Sequence, residues 1–172
     1  MITATSRIYV VMGVSGSGKS VVGALLAQAL GLPFVEGDDY HPAENIARMS
    51  AGIPLTDDDR QGWLRALAAP IRDAKNAGTG LVLACSALKR SYRDLLRSES
   101  GVRDLQFVFL RGDRGLIGDR LAGRRGHYMP ASLLDSQFEA LEEPSPDEEA
   151  WVGDIAQSPQ ELVAALAARA SA

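Results

Sequence analysis

The chain has 172 residues, 46% hydrophobic and 23% charged, which suits one globular domain with one sizeable core. Its net charge of −4 supplies no basic field for nucleic acid or an anionic membrane, so neither is an expected partner. Cys85 is the only cysteine and His41 and His127 are the only histidines, which excludes an intramolecular disulfide and argues against a thiolate or imidazole metal cluster. In chain order, "RIYVVM" predicts a buried strand closed by Gly13, with a helix from Lys19 to Leu30 stopped by Gly31 and Pro33. "PFVE" predicts a second strand, and a short helix follows over 42–50. Thr56 with Asp59 makes a capping-box start for a helix through Trp63, Leu64, Leu67 and Ile71, which Pro70 is expected to kink or split.

Leu81 to Cys85 predicts a third strand, with a helix around Leu88 to Arg97 after it. "LQFVFL" is a fourth strand, leading to helical stretches through Leu116 and Leu121 and from about Ala131 to the residue before Pro144. "EPSPDEE" is a polar loop, "AWVGDI" a fifth strand, and Ser158, Pro159 and Glu161 start a last helix. Gly153 is unusual inside a strand. This alternation predicts an α/β fold with a parallel sheet covered on both faces. "IYVVMGV" is short for a signal h-region and no run is long enough for a membrane helix, so the expected setting is cytoplasmic.

"GVSGSGKS", Gly13 to Ser20, fits G-x-x-x-x-G-K-[ST] with a strand before it and a helical pattern after it. Glycines let backbone N–H groups turn inward on phosphates, and the helix N-terminus adds partial positive charge. The expected ATP cradle is therefore Gly13, Val14, Ser15, Gly16, Ser17, Gly18, Lys19 and Ser20. Lys19 reaches the β- and γ-phosphates, and the Ser20 hydroxyl suits Mg²⁺. The chain has no N/T-K-x-D base-recognition signature, which weakens a GTPase reading. A small kinase or a nucleotide-dependent switch without chemistry is left.

"VEGDDYHP" puts Glu36, Asp38 and Asp39 within four positions after the second strand. Ligands gather at the carboxyl ends of strands in open α/β sheets, and a carboxylate there can take the proton of an attacking hydroxyl or help hold Mg²⁺ through water. On an extended segment adjacent side chains point to opposite sides, so Asp38 and Asp39 are expected to do different jobs. Read alone, the same residues could be solvated turn positions or a cap for the next helix.

"GVSGSGKS", "EGDDYHPAENIARMSAGIPLTDDDRQGWL", "CSALKRSYRDLLR" and "RGHYMPASLLDSQFEALEEP" together resemble the small P-loop gluconokinases, from about Ile8 to Pro144. The resemblance implies an ATP- and Mg²⁺-dependent enzyme that makes 6-phosphogluconate from D-gluconate. It implies the fold of shikimate and nucleoside monophosphate kinases: a P-loop kinase domain over 1–172 with a five-stranded parallel sheet and a mobile lid at about 119–131. Carried over by motif, Asp38 is the expected base, His41, Arg48 and Arg60 line the acceptor pocket, and Arg93 in "SYRD" is a further candidate. Arg forks suit the carboxylate of gluconate, although each Arg could equally serve a solvated face or a structural ion pair. Among Arg120, Arg124 and Arg125 before the lid glycine, Arg124 is assigned to the phosphates by analogy with lid arginines. The third strand ends "ACS" without an aspartate, so Asp38 is expected to carry more of the metal's outer contacts. The adenine-contacting loop is expected near Asp154 to Pro159. The resemblance also implies a homodimer. The alternatives are a kinase of another small hydroxy acid or nucleotide, or a non-catalytic nucleotide-binding regulatory module.

Overall fold

The computed structural model describes residues 7–122 and 133–172. Arg124, Arg125, His127 and most of the expected lid lie outside the described residues. Among those described, β1 (Ile8–Met12), β2 (Phe34–Glu36), β3 (Leu81–Ala84), β4 (Gln106–Arg111) and β5 (Trp151–Asp154) form one sheet in the order β2-β3-β1-β4-β5, every pairing parallel. All of β1 and β3 is buried, as is Gln106 to Leu110 of β4, which is why these strands read as apolar runs without alternation. The helices are α1 (Lys19–Leu30), α2 (Ala43–Ser50), α3 (Asp57–Ala77), α4 (Arg90–Ser100), α5 (Arg114–Ala122), α6 (Leu134–Ala140) and α7 (Pro159–Ala170). α1 packs with α7 and α3 with α4, so the sheet is covered on both faces as expected. β1 leads through α1 to one edge of the sheet and β4 leads towards the other. The crevice where ligands gather therefore opens above β1.

Three local expectations are revised. α3 runs unbroken through Pro70 for 21 residues. Trp63, Leu64 and Leu67 before the proline and Ile71 and Ala74 after it are all buried, and that packing outweighs one lost backbone bond. Asp38 and Asp39 are not on an extended segment: Gly37–Tyr40 is a 3-10 turn, so the alternation argument for dividing their roles does not apply. The "EPSPDEE" loop also contains a 3-10 turn, Pro146–Glu148, closed by a Ser145/Glu148 capping box. The glycine in β5 has a packing reason, since a Cβ on Gly153 would lie 2.9 Å from Leu162 Cδ2 of α7. A side chain there would have to displace that leucine methyl, so the glycine lets helix and sheet approach closely.

Candidate active site

The loop after β1 is bent by glycines and braced by neighbours. Gly16 has φ of +84°, and a Cβ there would lie 2.8 Å from Leu121 of α5, so a side chain is excluded on both counts. Lys19 Nζ donates to Val14 O at 3.2 Å, which curls the ammonium back over the loop. Ser17 Oγ is buried and, among the described residues, has no hydrogen-bond partner. A buried hydroxyl lacking an acceptor and an ammonium at the start of a helix suit an incoming phosphate.

Glu36, the last residue of β2, accepts the hydroxyl proton of Ser20, and its other oxygen accepts the Asp38 amide at 3.3 Å. The hydroxyl expected to meet Mg²⁺ is thus already tied to a carboxylate. Both groups are hard oxygen donors, the kind Mg²⁺ takes. Among the described residues no group of three or more His, Cys, Asp or Glu side chains is placed to hold a metal ion. An ion at Ser20 and Glu36 would therefore arrive with nucleotide phosphates, as Mg²⁺ commonly does.

Around Asp38 the 3-10 turn is pinned from α3, where Trp63 Nε1 donates to Gly37 O at 2.8 Å. His41 stacks on the Trp63 ring, centroids 4.0 Å apart and planes within 15°. Burial pushes the His41 imidazole down to about 4; Asp38 opposes that shift and Arg60 adds to it. His41 is therefore neutral at pH 7, and Asp38 and Arg60 each lie within electrostatic reach of it. Asn45 of α2 bridges His41 Nδ1 at 3.3 Å and Asp59 O at 2.9 Å. At the end of β3, Cys85 is within reach of Asp38, Lys19 and Glu36, and burial raises its thiol to about 12, leaving it inert.

Arg60 is buried, donates to Tyr92 OH at 2.8 Å and lies over that ring at 5.4 Å. The Tyr92 hydroxyl in turn donates to Asp57 at 2.5 Å, and Lys89 pairs with Asp57 at 3.0 Å. Pro54, Thr56, Asp57, Arg60, Lys89 and Glu139 line part of a cleft of about 410 Å³ beside this network. Asp57 and Asp59 are satisfied by other groups, Lys89 and Tyr92 for the first, Thr56 and Arg48 for the second. Arg48 is only loosely held, in an exposed pair with Asp59 at 3.3 Å.

Arg93 is corrected. It does not line the cleft: its side chain is 0% exposed, and its guanidinium bonds both oxygens of Glu148 at 2.7 and 3.0 Å and the Ala87 and Leu88 carbonyls at 2.9 and 3.2 Å. Arg97 also reaches Glu148, at 3.1 Å. Burial works against the Glu148 charge, but the Arg93 bond and the Ser145 amide outweigh it and carry the carboxyl down to about 2. Arg120 is likewise engaged, donating to Ile155 O at 2.8 Å.

The family model for shikimate kinase matches residues 15–150. The chain is 45% identical over 159 residues to the thermoresistant gluconokinase of Escherichia coli, covering 92% of this chain and 90% of that one. It is 51% identical over 142 residues to the gluconokinase of Gluconobacter oxydans, covering 83% and 79%. The chain belongs to the gluconokinase family. A gluconokinase structure from Sinorhizobium meliloti superposes with a TM-score of 0.85 at 48% identity, over 97% of this chain and 94% of that one.

Within this gluconokinase-family chain, sequence reasoning missed Glu36 as the partner of Ser20, Trp63 as the platform for His41, and the Lys89–Asp57–Tyr92 network. Trp63 and Tyr92 carried a signal: aromatic residues with a polar handle seek a partner when buried. Trp63 reads from its spacing only as a helix core position.

Proposed function

We propose that this chain transfers the γ-phosphoryl group of ATP to the 6-hydroxyl of D-gluconate, giving 6-phosphogluconate and ADP. The observation that carries the reading is that Glu36 ties the phosphate loop to the acidic turn, bonding Ser20 and the Asp38 amide, while Trp63 of α3 bonds Gly37 O and stacks on His41. Identity to gluconokinases over most of the chain supports gluconate as the acceptor.

In this account Gly13 to Ser20 wrap the phosphates, and Lys19 leaves Val14 O to neutralise charge on the transferring group. Mg²⁺, when bound at Ser20 with Glu36 beside it, supplies further neutralisation of the phosphate oxygens. Asp38 orients the 6-hydroxyl and takes its proton late, because the transition state is loose. Arg60, with Arg48 and neutral His41 nearby, receives the carboxylate and hydroxyls of the acceptor. The lid role of residues 119–131 and the phosphate contact of Arg124 belong to the same reading and rest on the family resemblance. So does a homodimer, whereas the cytoplasmic setting rests on the short apolar run "IYVVMGV" and the lack of a membrane-length apolar stretch in the sequence. No helix of the described residues is long and apolar enough to cross a membrane.

ADP release from MgATP tests the proposal, with gluconate, shikimate and nucleoside monophosphates offered in turn. Turnover with gluconate alone is expected. A preference for another acceptor would replace the substrate, and the absence of acceptor-dependent turnover would leave only a nucleotide-binding module.

A further inference from the structure

Gln137 bonds the phosphate loop from outside it. Its Oε1 accepts the Ser15 amide at 3.0 Å, across 122 positions of sequence, and both residues are buried, 7% and 6% exposed. A buried backbone N–H left unpaired is costly, so the loop's shape at Ser15 depends on an acceptor supplied by α6. The residue type matters. An apolar side chain would strand the amide, whereas a carboxylate would set a negative charge beside a site built for polyanions. One position along, Leu121 and Ile117 of α5 fill the space a Gly16 side chain would take. The crest of the loop is therefore held by α5 and α6, and by more than the strand and helix it joins.

We propose that Gln137 is a positioning residue for ATP, fixing the phosphate loop in its binding shape through the Ser15 amide. The Ser15 N–H is spent on Gln137, so the residue acts through the loop and does not meet the nucleotide itself. The inference rests on the reading of this loop as the ATP site. It does not depend on which acceptor is phosphorylated.

The test is equilibrium MgATP binding by calorimetry, together with the two KM values, for the wild type and for Gln137→Met, which keeps side-chain length without the acceptor. Gln106→Met is the control, because Gln106 is equally buried and bonds Phe107 O and Glu149 O, both at 3.1 Å, around the start of β4, away from the loop. Gln137→Met should weaken MgATP about tenfold, the scale of one unpaired buried amide. KM for gluconate should stay within about twofold, as the acceptor cluster is untouched. Gln106→Met should lower Tm comparably and leave MgATP affinity within about twofold, since its lost bonds are distant from the loop. Unchanged MgATP affinity in Gln137→Met, equal rises in both KM values, or an equal loss in Gln106→Met would overturn the proposal. Hydrogen exchange on the wild type tests it even if Gln137→Met does not fold. The Ser15 amide should be protected without nucleotide, and exchange at the rate of an open loop would contradict the bond. Wild-type MgATP binding tests the ATP reading itself, while the variant-to-wild-type ratio tests Gln137.

Discussion

Arg93→Met separates a structural arginine from an acceptor-binding one. The substitution removes four hydrogen bonds, two to Glu148 and two to the carbonyls of Ala87 and Leu88. It leaves Glu148, whose side chain is 2% exposed, with only Arg97 as a cationic partner among the described residues. Breaking one side of a buried pair typically costs about 3–5 kcal/mol. The depressed Glu148 carboxyl, at about 2 despite its burial, points the same way, with Arg93 contributing to the shift alongside the Ser145 amide and Arg97, which the variant retains. For a chain of this size that cost is a Tm fall of roughly 10 °C. The same pair fixes the sign of an acid effect. Because folding depresses the Glu148 carboxyl, its contribution is complete above about pH 4.5 and is lost as pH falls towards 2. Thermal melts at pH 7 and along an acid series should therefore show Arg93→Met well below the wild type at neutral pH, the gap narrowing in acid. Assayed at a temperature where it stays folded, the variant should keep KM for gluconate within about twofold, a shift under 0.5 kcal/mol. An unchanged Tm with KM for gluconate raised tenfold or more would refute the reasoning and return Arg93 to the acceptor pocket.

Lys19→Met should fold normally and lower kcat severely, since the ammonium acts more on the transferring phosphoryl group than on bound ATP; near-normal steady-state turnover would remove this lysine from the mechanism. Arg60→Ala should raise KM for gluconate far more than KM for ATP, and equal effects on both would leave Arg60 as a support for Tyr92 only. Asp38→Asn should lower kcat by about 10² or more, the low end of a general-base contribution, with ATP binding little changed. Asp39 is exposed where Asp38 is half-buried, so Asp39→Asn should act on local structure or substrate affinity more than on kcat. The reverse pattern in the two kinetic profiles would exchange their roles.

The fold was legible in the sequence because its signals are local and repeated. Apolar runs marked β1, β3 and β4, and Thr56 with Asp59 and Ser158 with Glu161 marked helix starts that form as capping boxes. Pro70 misled because propensity is local while the burial of Leu67 and Ile71 on either side of it is tertiary. The phosphate loop was legible from its glycines. Its bracing was not, because Gln137 meets Ser15 only when α6 returns to the end of β1. Arg93 shows the limit of motif spacing. An arginine after a strand near the site looks the same in sequence whether it faces a carboxylate ligand or Glu148, and only the packing of the 146–148 turn against α4 decides it. The Asp38 argument failed for a related reason. The glycine before it begins a tight turn instead of extending the strand.

The central claim is that a phosphoryl group passes from MgATP to one hydroxyl of gluconate. Phosphorus NMR of the complete reaction, with proton coupling retained, tests it most directly. The account predicts ADP and a phosphomonoester split by two protons on C6, formed in equal amounts and only when gluconate is present. Inorganic phosphate with ADP, a phosphomonoester split by one proton, or no product beyond bound nucleotide would contradict it.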